Sequence, residues 1–293
     1  YEGFVLPHRF EQSNQTLKDW LLDQAKELLL SAVLGLILVE VIYVFLRAMP
    51  DLWWLWAAGI MLLINVLMAN LAPVLLFPLF NKYVPLDEEY AELAKRLMAL
   101  AERSGTPVQG VYKFDLSRRT KSANAALTGL GNTRRIILGD TLLKEFNTEE
   151  IETVMAHELG HQVHKDIPVG IVVSSLLTLL GFYLASLVMQ IGVSIFGLPG
   201  PADVAAMPLF VLALGAFELV TLPLGNAFSR WRERRADAYA LELTGDGQNY
   251  ASALTRLANQ NLAEVDPEPW VEFILHSHPA LSRRIDMALS YKK

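Results

Sequence analysis

The sequence contains no cysteine, which excludes disulfides, thiolate metal sites and cysteine nucleophiles and leaves His and carboxylate groups to hold any metal. It is also poor in charge. Charged residues make up 19% of the 293 positions against 53% hydrophobic ones, too apolar a balance for an ordinary water-soluble domain. Part of the chain is therefore expected in lipid. The net charge is -6, the pI is near 5.6, and no cluster of Lys and Arg marks a phosphate-binding surface, so nucleic acid is not expected as a partner. No charged tail, internal repeat or low-complexity tract stands out. No basic segment followed by a short apolar stretch opens the chain at Tyr1, so no signal peptide is expected.

What the chain does have is long apolar runs, at residues 28–46, 52–77, 168–196 and 208–228. A spanning helix needs about 20 apolar residues, so these predict four transmembrane helices in two hairpins. Trp53, Trp54 and Trp56 crowd one end of the second run, as an interfacial aromatic belt would. Helices buried in a large soluble core can also be apolar all round, but four such runs in one chain favour spans. Lys and Arg are abundant at 82–165 and after Arg230, while 197–207 carries none. The positive-inside rule then sets both polar regions on the cytoplasmic side. Glu40, Asn65 and Asn70 lie within apolar runs, where they would line a polar cavity or bond between helices.

The expected fold is thus a mainly α membrane protein with a soluble α+β domain split around the second hairpin. Its segments are an amphipathic N-terminal stretch (1–27), the first hairpin (28–80), the first part of the soluble domain (81–166), the second hairpin (167–228) and the second part of the soluble domain (229–293). In the first part, Tyr90, Leu93, Leu97 and Leu100 predict a helix over 87–104. Strand-like stretches at 108–114, 122–128 and 134–138, the last two flanking a turn at 129–132, predict a small sheet. A helix follows from about Asn147, with Asn147 as its cap and Glu150 in its first turn.

That helix carries His157, Glu158 and His161 in the pattern of two His four residues apart with Glu beside the first. Residues i and i+4 share a helix face about 6 Å apart along the axis, so two imidazoles can converge on one ion, with Zn–N bonds of about 2.1 Å. Glu158 then lies beside the water that the ion would hold. His164 shares the stripe but is about 10.5 Å along the helix from His157, too far for one ion. A third ligand must come from elsewhere, and after the fourth run Glu233 and Asp237 stand at i and i+4. Either carboxylate would bind the metal while the other accepts the free N–H of a ligand His. Alternatively both pair with Arg230, Arg232, Arg234 and Arg235 on a solvated face. Glu218, inside an apolar run, and Glu152, on the first helix, are less well placed.

Several segments now resemble, in order, the membrane zinc peptidase family of the type 1 CAAX prenyl endopeptidases and related heat-shock membrane proteases. Ser122 to Ala125 with Gly129 to Gly131 resembles the family's Asn-Ala edge strand, and Arg135 to Leu143 its following strand and Asp-Thr turn. His157 to His161 resembles the catalytic helix; Ser229, Arg230, Glu233, Ala236 and Asp237 the third-ligand motif; and His278, Pro279, Arg284 and Ile285 the C-terminal motif. More weakly, Gly3 and Phe4 through Gln15, Thr16 and Trp20 resemble the segment before the first central hairpin.

The resemblance implies a zincin-like catalytic domain of the gluzincin type, HExxH plus ExxxD, with one Zn2+ per chain on His157, His161 and Glu233. It makes Glu158 the general base, Asp237 the carboxylate behind a ligand His and His278 the group that steadies the oxyanion. Arg284 would contact substrate backbone, and Asn124 and Ala125 would hold an extended, possibly lipidated peptide by strand addition. Two departures stand out: Ala126 replaces the aromatic usual after Asn-Ala, and the prenyl endopeptidases have more spans than the four found here. The implied activity is hydrolysis of peptide bonds in membrane-associated or lipidated peptides. Alternatives are quality-control cleavage of damaged membrane proteins, a non-catalytic zinc-fold scaffold or chaperone, and a transporter, for which the repeated halves are missing. The oligomeric state is not legible.

Overall fold

The computed structural model describes residues 1–71, 82–129 and 133–292, the side chains of Ala69 and Asn70 apart. The end of the second apolar run, the side chain of Asn70 and residues 130–132 of the anticipated turn lie outside the described residues.

In chain order the helices are α1 (Val5–Arg9), α2 (Leu17–Ala48), α3 (Trp53–Leu71), α4 (Ala91–Arg103), α5 (Asp140–Glu145), α6 (Thr148–Val163), α7 (Asp166–Phe196), α8 (Met207–Thr244), α9 (Gly247–Gln260), α10 (Pro269–Leu275) and α11 (Leu281–Ser290). The strands are β1 (Tyr83–Pro85), β2 (Val111–Phe114), β3 (Ala125–Thr128) and β4 (Arg135–Gly139). Two compact units result. One takes Tyr1–Trp20, Asn70–Ile167 and Gly225–Lys293; the other takes Leu21–Ala69 and Pro168–Leu224.

The second unit is apolar inside and out. Three helices among the described residues are long and apolar enough to cross a membrane, Leu17–Ala48, Asp166–Phe196 and Val204–Thr244, and Trp53–Met68 is a shorter apolar helix. Trp53 is only 1% exposed and meets Phe182 and Phe210 edge-on, with ring centroids 6.2 and 5.6 Å apart. Of the three tryptophans expected at the lipid interface, Trp53 is therefore a core residue and Trp54 packs on Tyr183, while Trp56 is exposed. Asn65 Nδ2 donates to Ser174 Oγ at 2.9 Å, joining α3 to α7, so this polar group bonds between helices.

The first unit is built on a four-stranded sheet in the order β1-β2-β4-β3, antiparallel except for β2 beside β4. Alternation in β4 drives Ile136 and Leu138 into the core, where they meet Leu93, Leu97 and Leu100 of α4 and Ile151, Met155 and Leu159 of α6. Tyr250 and Leu254 of α9 complete it. The N-terminal segment is tied to this unit: Asn14 N donates to the Arg119 carbonyl and Lys121 N to that of Gln12. The anticipated helix and three strands are present within a few residues of their expected limits; β1 was too short to show a period.

Helix α6 begins as its sequence dictates. Asn147 Oδ1 accepts from Glu150 N at 2.8 Å and Glu150 Oε2 accepts from Asn147 N at 3.0 Å, a reciprocal cap. Glu150 is fully buried, and its second carboxylate oxygen accepts from Arg256 Nε at 2.8 Å. Where α6 crosses α8, a Cβ at Gly160 would lie 3.0 Å from Ala236 Cα and 3.2 Å from its carbonyl oxygen. A side chain there would need Ala236 to give way by a few tenths of an ångström, so glycine suits the close approach of α8 to the His-bearing helix. Gly160→Val is expected to destabilise the protein by about 1–3 kcal/mol through overpacking. Thermal unfolding in detergent is the check, and an unchanged midpoint would contradict the close crossing.

Candidate metal centre and peptide cleft

His157 and His161 sit one turn apart on α6, and Glu233 projects toward them from α8. The two Nε2 atoms are 3.2 Å apart; Glu233 Oε2 is 3.4 Å from that of His157 and Oε1 3.4 Å from that of His161. A tetrahedral ion with bonds of about 2.1 Å has ligand atoms roughly 3.4 Å apart, so the spacing fits one zinc-sized ion. One ligand atom from each of the three residues lies within 4.8 Å of the others. Glu233 Oε2 is buried without a hydrogen-bond donor, an orphan acceptor that a cation would satisfy. Burial alone would depress the His157 pKa, but Asp237 and Glu233 overcome it and hold the imidazole up at about 9. The pocket therefore favours positive charge, and the donor set fits the implied metal.

Each imidazole presents Nε2 to this point because a carboxylate takes its other nitrogen. Asp237 Oδ1 is 2.8 Å from His157 Nδ1, and Asp166 Oδ2 is 2.7 Å from His161 Nδ1. Asp237 is completely buried. It accepts from the Tyr250 hydroxyl at 2.5 Å and from Arg284 through Nε at 2.8 Å and Nη2 at 2.7 Å. Arg284 is buried too, lies 3.9 Å from Glu233 and borders the cleft. Burial works against its charge, but the facing Tyr250, Asp237 and Glu233 raise its pKa.

The arginines flanking Glu233 do not neutralise it. Arg230 Nη1 donates to the Glu272 and His276 carbonyls at 2.8 and 2.6 Å, Arg232 Nη1 reaches the Asp166 carbonyl at 3.3 Å, and Arg235 lies over Trp231. Glu152, the weaker rival ligand, is held by Arg96 at 2.6 and 2.7 Å. His164 packs on the Tyr239 ring, away from this point.

Beside the three ligands opens a cavity of 480 Å3 that holds Glu158, His278, Asn124 and Ala125, with Leu142, Val154, Leu254 and Leu257 supplying apolar wall. Burial raises the Glu158 carboxyl above its usual range, with His157 and His161 pulling it back, so it is a stronger base than a free carboxylate. His278 is exposed, with Nε2 3.5 Å from Glu233 Oε1. Ala125 opens β3 and Asn124 precedes it; among the described residues β3 pairs only with β4 and leaves its other edge open. Every residue singled out from the sequence for this site thus borders the cleft or the ligands. Asp166 and Tyr250 were missed. A carboxylate five residues past a ligand His resembles any acidic residue opening a helix, and the tyrosine's helix carries no chemical motif.

The comparisons with known proteins agree with this geometry. The family described as Peptidase family M48 matches residues 87–292, and one described as CAAX prenyl protease N-terminal, five membrane helices, matches residues 1–82. CAAX prenyl protease 1 of Saccharomyces cerevisiae is 32% identical over 99% of this chain and 67% of its own. The Bacillus subtilis protein named uncharacterized metalloprotease YhfN is 32% identical over 98% of this chain and 68% of its own. The crystal structure of S. mikatae Ste24p superposes with a TM-score of 0.89 at 31% identity, over 99% of this chain and 71% of that one. With those matches over a His-His-Glu cluster in which His157 and Glu233 are buried, and over several apolar helices, the chain belongs to peptidase family M48 and is an integral-membrane metalloprotease.

Proposed function

We propose that the chain is a zinc endopeptidase acting on extended, membrane-associated peptides, lipidated C-terminal ones of the prenylated kind among them. The observation that carries this is the convergence of His157, His161 and Glu233 at one point with Glu158 beside it in an open cleft. His157, His161 and Glu233 would hold one Zn2+, which when bound polarises a scissile carbonyl and acidifies water. Asp237 and Asp166 hold the two imidazoles in the tautomer that offers Nε2.

The residues divide the remaining work. Glu158, with its raised pKa, takes the proton of the attacking water and returns it to the leaving nitrogen. His278, exposed at the cleft, donates toward the oxygen on which negative charge develops. Ala125 offers backbone at the open edge of β3, with Asn124 beside it, its carbonyl already taken by Gly139 N, so a peptide adds as a strand and its side chains enter pockets alternately. The Leu142, Val154, Leu254 and Leu257 wall suits an aliphatic side chain. Arg284, tied to Asp237, turns its remaining donors toward the substrate backbone.

The two hairpins, with runs at 28–46, 52–77, 168–196 and 208–228, account for four spans, and 81–166 with 229–293 form the catalytic domain on the cytoplasmic side, where Lys and Arg concentrate. The names of the relatives, CAAX prenyl protease 1 in Saccharomyces cerevisiae and CAAX prenyl protease 1 homolog in Oryza sativa, support the lipidated substrate class.

Glu158→Gln is expected to retain zinc and lose turnover by roughly 10²-fold or more, read on a quenched peptide in detergent. Full activity would remove Glu158 from its role. Asp166→Asn is expected to weaken zinc affinity by about 10–100-fold in a competition titration with a chromogenic chelator. Wild-type affinity would make Asp166 a bystander.

A further inference from the structure

Helix α10 has its apolar and charged faces inverted for a water-soluble surface. Trp270, Phe273 and Leu275 are 65%, 51% and 61% exposed, and Ile274 joins them at 37%. Trp270, Phe273 and Ile274 fall at i, i+3 and i+4, one face of the helix. The single acid of the helix, Glu272, is instead buried, where it accepts from Ala280 N at 3.2 Å and pairs with Arg283. Single exposed apolar residues are ordinary, but a contiguous aromatic and aliphatic face with its carboxylate turned inward marks a partner.

What the helix is fastened to identifies the partner. Asn226 Nδ2 donates to the Ile274 carbonyl at 2.6 Å, and the buried Arg230 donates to the carbonyls of Glu272 and His276. Asn226 and Arg230 bracket Phe228, the residue at which the apolar run of α8 ends. Around that point gather groups typical of a lipid headgroup region: Trp231, 44% exposed and stacked on Phe228, and the Arg232 and Arg235 guanidiniums over the Phe228 and Trp231 rings. A short apolar face riveted to the end of a membrane run is continuous with the membrane surface. It has the composition of an interfacial helix.

We infer that α10 is seated in the lipid–water interface, its Trp270, Phe273, Ile274 and Leu275 face in contact with lipid and its Glu272 face turned to the catalytic core. The chain passes directly from α10 into His276, His278 and Pro279, which border the cleft. The helix therefore fastens one lip of the cleft to the bilayer surface.

The absence of cysteine makes the test direct, since a nitroxide can be attached to a single introduced thiol in the whole chain. Trp270→Cys and Phe273→Cys would be labelled and compared, in phospholipid nanodiscs, with Glu92→Cys, whose side chain is 78% exposed. Labels on α10 are expected to collide with dissolved oxygen and to be shielded from a water-soluble nickel chelate, with the Glu92→Cys label showing the reverse. Nickel access at both α10 positions would place the face in water, and shielding from both reagents would place it under protein; either overturns the inference. A milder variant gives an independent reading. In brominated lipid, Trp270→Phe is expected to lower the quenchable share of tryptophan emission, and an unchanged share would count against the inference.

Discussion

A fully buried carboxylate cannot be left without partners, and Asp237 has three: the His157 imidazole, the Tyr250 hydroxyl and the Arg284 guanidinium. They come from α6, α9 and α11, so one desolvated charge fixes the helix that carries Asp237 against three others. Because Glu233 is one turn earlier on the same helix, satisfying Asp237 also sets Glu233 against the two imidazoles. The close contact at Gly160 favours this arrangement, since a Cβ there would press on Ala236, which lies between the two carboxylates on α8. Metal geometry and core packing are thus one problem with one solution.

How much of this could be read beforehand depended on the range of each interaction. His157, Glu158 and His161 were legible because a helix converts a spacing of four into a shared face. The Asn147 and Glu150 cap was legible for the same local reason. The carboxylates left a real ambiguity, ligand or surface ion pair, which spacing could not resolve; the fold places Glu233 beside the two imidazoles and turns Arg230 and Arg232 to backbone carbonyls. Long-range pairs without a motif, Asp166 with His161 and Tyr250 with Asp237, could not be foreseen. Trp53, Trp54 and Trp56 look alike in sequence, and only the packing on Phe182 and Phe210 marks Trp53 as a core residue.

The apolar half of the chain gives the chemistry its setting. The cleft is open and partly apolar, and among the described residues β3 beside it leaves one edge unpaired. Restricting it to what reaches a membrane surface supplies selectivity through location, and the exposed apolar face of α10 beside the cleft residues has the chemistry for that. Under the proposed function, substrates are defined by attachment to lipid as much as by sequence.

The central claim is that two imidazoles and one carboxylate converge on a single zinc ion. Zinc K-edge absorption on purified protein, with metal and protein quantified on the same sample, tests it most directly. The account predicts one zinc per chain in a light-atom shell whose multiple scattering requires two imidazoles, falling to one in His161→Ala. Absence of bound zinc, or a shell that fits without imidazole, would contradict it.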